Sequence, residues 1–245
     1  MNPYKVEELG KVTKHCPKHG DYEATEFKLS IYSKYPMYTI CPKCEEERIA
    51  LEKKIEMESI YKSFNIPERF MNEDFSTFET EGYPMLEEAK AIAQRYAGSI
   101  VTGRNLIIIG GPHTGKSHLA IAAFKEIKSN SKKYTNIVEI LDRVKSTYSR
   151  TRSYTEERKD TIINQYASYD FLIIDNLEQF SSTKENMKIL FEIINSRYDR
   201  SKNTIVCGEL TRNGLRNLIS NGLFLKLNNR GKIITLGDTN GEELL

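Results

Sequence analysis

One octapeptide limits what this chain can fold into more than any other feature. Gly110-Gly111-Pro112-His113-Thr114-Gly115-Lys116-Ser117 follows the apolar run Leu106 to Ile109 and leads into His118-Leu-Ala-Ile-Ala-Ala, a stretch of helix formers. A Gly-x4-Gly-Lys-Ser loop between a buried strand and a helix lets the backbone wrap closely, so that its N–H groups converge on an anion. The helix N-terminus adds partial positive charge at the same place. That context turns a motif match into a structural claim about a phosphate-holding loop. Read this way, Gly111, Pro112, His113, Thr114, Gly115 and His118 surround the phosphates of ATP, the Lys116 ammonium reaches the β- and γ-phosphates, and the Ser117 hydroxyl ligates Mg2+.

The rest of the chain supplies the scaffold such a loop requires. Short apolar strands are expected at Leu106 to Ile109, Ile137 to Leu141, Phe171 to Asp175, Thr204 to Cys207 and Lys232 to Leu236. Helices are expected from about Pro84 to Ala97, from Gly115, over a polar stretch reaching Tyr169, from Lys184 to Tyr198, and from Arg212 to Ile219. Strands that alternate with helices imply an α/β fold, a parallel sheet covered on both faces. Cys207 falls in a strand and reads as core, whereas Lys132 and Lys133 read as an exposed loop.

A phosphate loop of this kind works with a carboxylate at the end of a neighbouring buried strand, and Phe171-Leu-Ile-Ile-Asp175 provides one. Asp175 is therefore the second expected Mg2+ partner. Hydrolysis also needs a group that positions or activates water, and the next residue, Asn176, cannot take a proton. Lys116, Asp175 and Asn176 thus form the expected catalytic set, with binding better supported than turnover. Glu178 and Glu209 are the other carboxylates available nearby in the sequence.

A second chemical signal lies near the N-terminus. Cys16-Pro-Lys-His19 and Cys41-Pro-Lys-Cys44 are two short knuckles that bring together three thiols and an imidazole, the donors tetrahedral zinc prefers. Four protein ligands leave no position for reacting water, so such a site is structural and contributes to folding. His15 stands next to Cys16 but at poorer spacing. Glu45 to Phe64 contains no Gly or Pro and reads as a connecting helix. The resulting division is a zinc-binding module at 1–48, a linker helix at 49–66 and an ATP-binding domain at 67–245.

Composition adds exclusions. In the 245 residues no apolar run approaches the roughly 18 needed to span a bilayer, and no secretory-type apolar stretch is present near residue 1, which points to a cytoplasmic protein. The net charge of +2 does not mark a nucleic-acid binder, so any such role rests on local clustering. Arg143, Lys145, Arg150 and Arg152, with Tyr148 and Tyr154 interleaved, have the composition of a single-strand contact and equally that of a solvated basic helix face.

On the residues Asn65 to Phe78 (NIPERFMNEDFSTF), 110 to 120 (GGPHTGKSHLA), 169 to 178 (YDFLIIDNLE) and 204 to 215 (TIVCGELTRNGL), the chain resembles the DnaC/DnaI-type replicative helicase loaders and their IstB-type transposition relatives, all AAA+ proteins. The resemblance spans about residues 60 to 236. It implies a sheet ordered 5-1-4-3-2, no C-terminal helical lid, and self-association on a hexameric helicase with single-stranded DNA nearby. It also implies an N-terminal module that engages the helicase. The family commonly has Glu or Asp where Asn176 stands, and a Ser/Thr-Asn pair where Cys207-Gly208-Glu209 stands. The arginine that would reach a neighbouring subunit has only Lys226 and Arg230 as candidates. These departures point to an ATP-dependent clamp with slow hydrolysis. The alternatives are an IstB-like transposition helper and a small-molecule kinase, the latter lacking an evident arginine-rich lid.

Overall fold

The computed structural model describes residues 6–29, 35–99, 101–148 and 158–237. They divide into two compact units, Met1–Ile60 and Tyr61–Leu245.

In the first unit, β1 (Glu7–Cys16) and β2 (Gly20–Lys28) form an antiparallel hairpin, and β3 (Met37–Tyr38) adds to β2. The hairpin register pairs Cys16 with Gly20, which leaves Pro17 to His19 as the turn; Gly20 takes φ +80°, a conformation glycine adopts without cost. The long helix α1 (Pro42–Ser63) follows and buries none of its residues. Its stability therefore comes from local propensity and ion pairs such as Arg48 with Glu45 and Glu52 rather than from packing. Sequence patterning anticipated the helix; the hairpin was not anticipated, because its strands lack the apolar alternation of a half-buried sheet.

The second unit begins with a 3-10 turn at Glu68–Phe70 and helix α2 (Pro84–Gly98). It then winds through β4 (Leu106–Gly110), α3 (Lys116–Glu126), β5 (Lys132–Asn136), α4 (Ile137–Ser146), α5 (Lys159–Ser168), β6 (Phe171–Asp175), α6 (Lys184–Asp199), β7 (Asn203–Gly208), α7 (Arg212–Ile219), α8 (Asn221–Asn228) and β8 (Lys232–Leu236). The five strands are parallel and lie in the order β5-β6-β7-β4-β8. Counted from β4 as the first, this is the expected 5-1-4-3-2 order. Period-two alternation sends Leu106 and Ile108 to one face, under α2 and α3, and Ile107 and Ile109 to the other, under α4 to α8. Both faces of β4 are thus covered, and all five of its residues are buried.

The second strand of the sheet departs from the sequence reading. Ile137 to Leu141 is not a strand but the start of α4, and the strand is Lys132–Asn136. The Asn136 side chain caps the helix by accepting from the Glu139 N–H at 2.8 Å, and Ile137, Ile140, Leu141 and Val144 are buried at a spacing of three and four. The apolar run from Ile137 to Val144 has helical period, which is why the strand expected there is a helix. Lys132 correspondingly does not lie in an exposed loop: it is 5% exposed, and its ammonium donates at 2.7 Å to both the Phe124 and Ile127 carbonyls, closing the C-terminal end of α3. Lys133, in the same strand, is half-buried. Helix α8 was also missed in the sequence.

Candidate nucleotide site and candidate metal cluster

The loop between β4 and α3 is built by close approach. A Cβ at Gly110 would collide with the Leu236 carbonyl oxygen of β8, and the Gly111 N–H donates to that same oxygen at 3.1 Å. Gly115 holds φ +86° at the start of α3, where a Cβ would come within 2.8 Å of Phe78 Cε2. Both glycines are therefore required by fit, not merely tolerated. Within the loop the Thr114 hydroxyl donates to the Gly111 carbonyl at 2.9 Å, and the Lys116 ammonium donates to the same carbonyl. Lys116 is buried, and Ser117 follows it in the first turn of α3.

The lead-in segment clasps this helix. Lys125 of α3 donates to the carbonyls of Phe70, Met71 and Glu73 at 2.6–2.8 Å. His118 pairs through Nδ1 with Glu73 at 2.7 Å and meets the Phe78 ring edge-on at 5.1 Å. Between the lead-in and the loop opens a cavity of about 460 Å³ walled by Phe78, Tyr83, Met85, Leu86, His113 and His118. Its aromatic and apolar walls next to a phosphate-type loop suit a flat heterocycle.

Asp175 ends β6 and is 2% exposed. Its Oδ2 accepts from the Tyr134 hydroxyl at 2.8 Å and its Oδ1 from the Asn176 N–H at 2.9 Å. Tyr134 was not anticipated, because the strand that carries it was misplaced. Burial, and then the Asp175 carboxylate beside it, push the Tyr134 hydroxyl well above its ordinary range, so it stays a donor. Asn176 occupies the left-handed region (φ 56°, ψ 43°) ahead of a 3-10 turn, a conformation Asn tolerates better than Glu. Glu178, in that turn, accepts the Glu209 N–H at 2.9 Å, while the Glu209 carboxylate lies 3.9 Å from the Lys116 ammonium. Lys226 and Arg230 sit at the other end of β4: the Lys226 carbonyl accepts from Asn105, the residue just before that strand. The Lys226 side chain donates to Asn195, and Arg230 takes a positive φ between α8 and β8. Of the basic cluster, Arg143 and Lys145 lie in the last turn of α4, and Tyr148 is exposed; Arg150, Arg152 and Tyr154 lie outside the described residues.

In the first unit, Cys16, His19, Cys41 and Cys44 bring one donor atom each to within 4.8 Å of one another. Cys16 and Cys44 sulfurs are 3.5 Å apart, and His19 Nδ1 lies 3.7, 3.6 and 3.3 Å from the sulfurs of Cys16, Cys41 and Cys44. A tetrahedral ion about 2.3 Å from sulfur and about 2.0 Å from nitrogen spreads its donors about 3.5–3.8 Å apart, so the cluster can hold one. The other imidazole nitrogen, Nε2, faces Glu47 Oε1 at 3.2 Å, the outer contact that fixes a ligating histidine's tautomer. In the Cys16–Cys44 pair the Lys18 backbone N–H lowers the Cys16 thiol to about 6, while the hydrogen bond to Cys16 pushes the Cys44 thiol up to about 11, so one thiolate of the pair forms before the other. His15 is elsewhere engaged, with Asp21 at 2.6 Å.

The parallel sheet, the glycine-built loop and the strand-end carboxylate define the second unit as a P-loop nucleotide-binding domain of the α/β class. The chain belongs to the IstB-like ATP binding protein family, whose pattern matches residues 53–216. It is similar to the replicative helicase loader DnaC of Buchnera aphidicola subsp. Schizaphis graminum, 26% identical over 172 residues that make up 68% of each protein. Among solved structures it resembles that of the DnaC helicase loader, with a TM-score of 0.60 and 17% identity, covering 69% of this chain and 99% of that one. It also resembles that of DnaI, with a TM-score of 0.57 and 14% identity, covering 70% and 94%. These likenesses establish the fold. No helix among the described residues is long and apolar enough to cross a membrane.

Proposed function

We propose that this chain is an ATP-switched DNA-replication protein that recruits or loads a ring-shaped hexameric helicase onto single-stranded DNA. The observation that carries the reading is the buried Lys116 of a glycine-built loop in the same unit as the buried strand-end Asp175, in a chain similar over two thirds of its length to a replicative helicase loader. Gly111 to Gly115 surround the phosphates, Lys116 binds the β- and γ-phosphates, and the hard oxygens of Ser117 and Asp175 suit Mg2+. The base occupies the cavity beside Phe78 and His118. Asn176 supplies no base, so hydrolysis does not run through that position.

Residues 1–48 act as a zinc-binding module that engages the helicase, 49–66 as a linker helix, and 67–245 as the ATP-binding domain. Three thiols and an imidazole are too soft a donor set for Mg2+ or Ca2+ and suit Zn2+. Leu51 and Ile55 of α1, 58% and 59% exposed among charged residues, support a docking role for this part of the chain. Mixing the purified protein with its host's replicative helicase, with and without ATP, and weighing the complex tests the reading. A complex that weakens when zinc is removed is the expected result. Indifference to the helicase combined with ATP-dependent coating of double-stranded DNA would instead favour an IstB-like transposition helper.

A further inference from the structure

Asn176 leaves the site without a carboxylate immediately after the Mg2+-side aspartate, and the neighbouring strand supplies one. β7 runs parallel to β4 with Ile109 opposite Gly208, so Glu209 emerges at the height of Gly110, where the phosphate loop begins. Among the described residues, Glu209 is the carboxylate that lies within 4.0 Å of the Lys116 ammonium, at 3.9 Å. Its side chain is 46% exposed, open to water, while that of Lys116 is 8% exposed. Its backbone is held: the Glu209 N–H is bound by Glu178 Oε2 at 2.9 Å, and Gly208 behind it is hemmed by Leu177 and Leu210. The two glutamates therefore divide their work. One fixes the strand end, and the other points a free carboxylate at the place where the lysine marks the terminal phosphate.

We infer that Glu209 is the general base of ATP hydrolysis in this chain, replacing the acidic residue absent at position 176. The inference rests on the nucleotide-site reading above. The Glu209 carboxylate takes a proton from water as the water oxygen bonds to the γ-phosphorus. The bond from that phosphorus to the β,γ-bridging oxygen breaks, its electron pair stays on the ADP oxygens, and inorganic phosphate leaves with the proton released to solvent. At 3.9 Å and with the Glu209 side chain half-exposed, the Lys116–Glu209 ion pair is weak, so the carboxylate is readily spared when Lys116 turns to phosphate.

The test uses the full chain as wild type, Glu209→Gln, Glu178→Gln and Lys116→Ala. ATP affinity is measured by calorimetry with Mg2+, phosphate release is followed, and the nucleotide retained after gel filtration is identified. The expected result is wild-type turnover above the Lys116→Ala background and a loss of about 100-fold or more in Glu209→Gln. That variant binds ATP as tightly as wild type and retains it as ATP rather than ADP. Glu209→Gln turnover within threefold of wild type overturns the assignment, as does wild-type turnover no greater than Lys116→Ala, or a loss that falls on Glu178→Gln instead. A wild type that binds no ATP in the calorimeter marks failure of the nucleotide-site reading itself, which the binding measurement separates from failure of the base assignment.

Discussion

The two units of the chain are stabilised in opposite ways. Around β4 every strand residue is buried, and apolar side chains from seven helices cover both faces of the sheet. In the unit that holds the hairpin and most of α1, the buried apolar-type residues are Cys16, Ala24 and Cys41 among those described, and two of these are candidate ligands. Apolar burial sustains the sheet unit, at roughly 25 cal/mol per Å² removed from water; the hairpin unit has too little of it, and a metal held by its Cys/His cluster would supply the missing stabilisation. The site chemistry follows the same division. The phosphate loop is shaped by steric exclusion at Gly110 and Gly115, the metal cluster by four donors converging on a point.

The largest expected effect is therefore confined to one unit. Chelation, or Cys44→Ser, removes a site of the kind that contributes about 10 kcal/mol or more to a small module's folding. Hydrogen exchange will show protection lost across β1 and β2 and kept in β4 and β6. Equal loss in both units would erase the contrast. Glu47→Gln sharpens it with a smaller change: the outer partner of His19 is weakened, and zinc affinity falls about tenfold, measured by competition with a chromogenic chelator. An unchanged affinity would mean that the His19–Glu47 contact does nothing for the metal.

The effect expected in the apolar-core unit is one of pH. Burial lowers the Lys132 ammonium to about 8 from its ordinary 10.5, so the unfolded chain holds that proton more tightly than the folded one. The contribution of Lys132 to stability consequently rises as pH goes from 8 towards 10.5 and is lost as pH falls through 8. One such proton bounds the slope at about 1.4 kcal/mol per pH unit. Denaturant melts of Lys132→Met should show a flatter dependence over that range, and an identical slope would place the titrating group elsewhere.

What could be read in advance also differs between the units, for physical reasons. Motifs that encode chemistry at fixed spacing were legible: the Gly-Lys-Ser loop, Asp175 at a strand end, and the two Cys/His knuckles, whose donors the fold brings together. Burial that depends on tertiary partners was not. Lys132 looks like a solvent residue until Phe64, Phe124 and two helix-end carbonyls surround it, and that displaced the second strand onto Ile137 to Leu141. Tyr134 was lost with it, although a tyrosine two residues ahead of a capping Asn136 was the available signal. Glu209 stood in the sequence beside Glu178 without distinction, because only the parallel register of β7 and β4 tells which of them faces Lys116.

Calorimetric titration of the full chain with Mg-ATP reads out the proposition on which the rest depends, that the loop from Gly110 to Ser117 holds a triphosphate. Saturable heat is expected for the wild type, with roughly 100-fold weaker binding for Lys116→Ala, the equivalent of about 3 kcal/mol from a charge-assisted contact to phosphate. Absence of heat at millimolar nucleotide, or equal affinity in the two proteins, would contradict it.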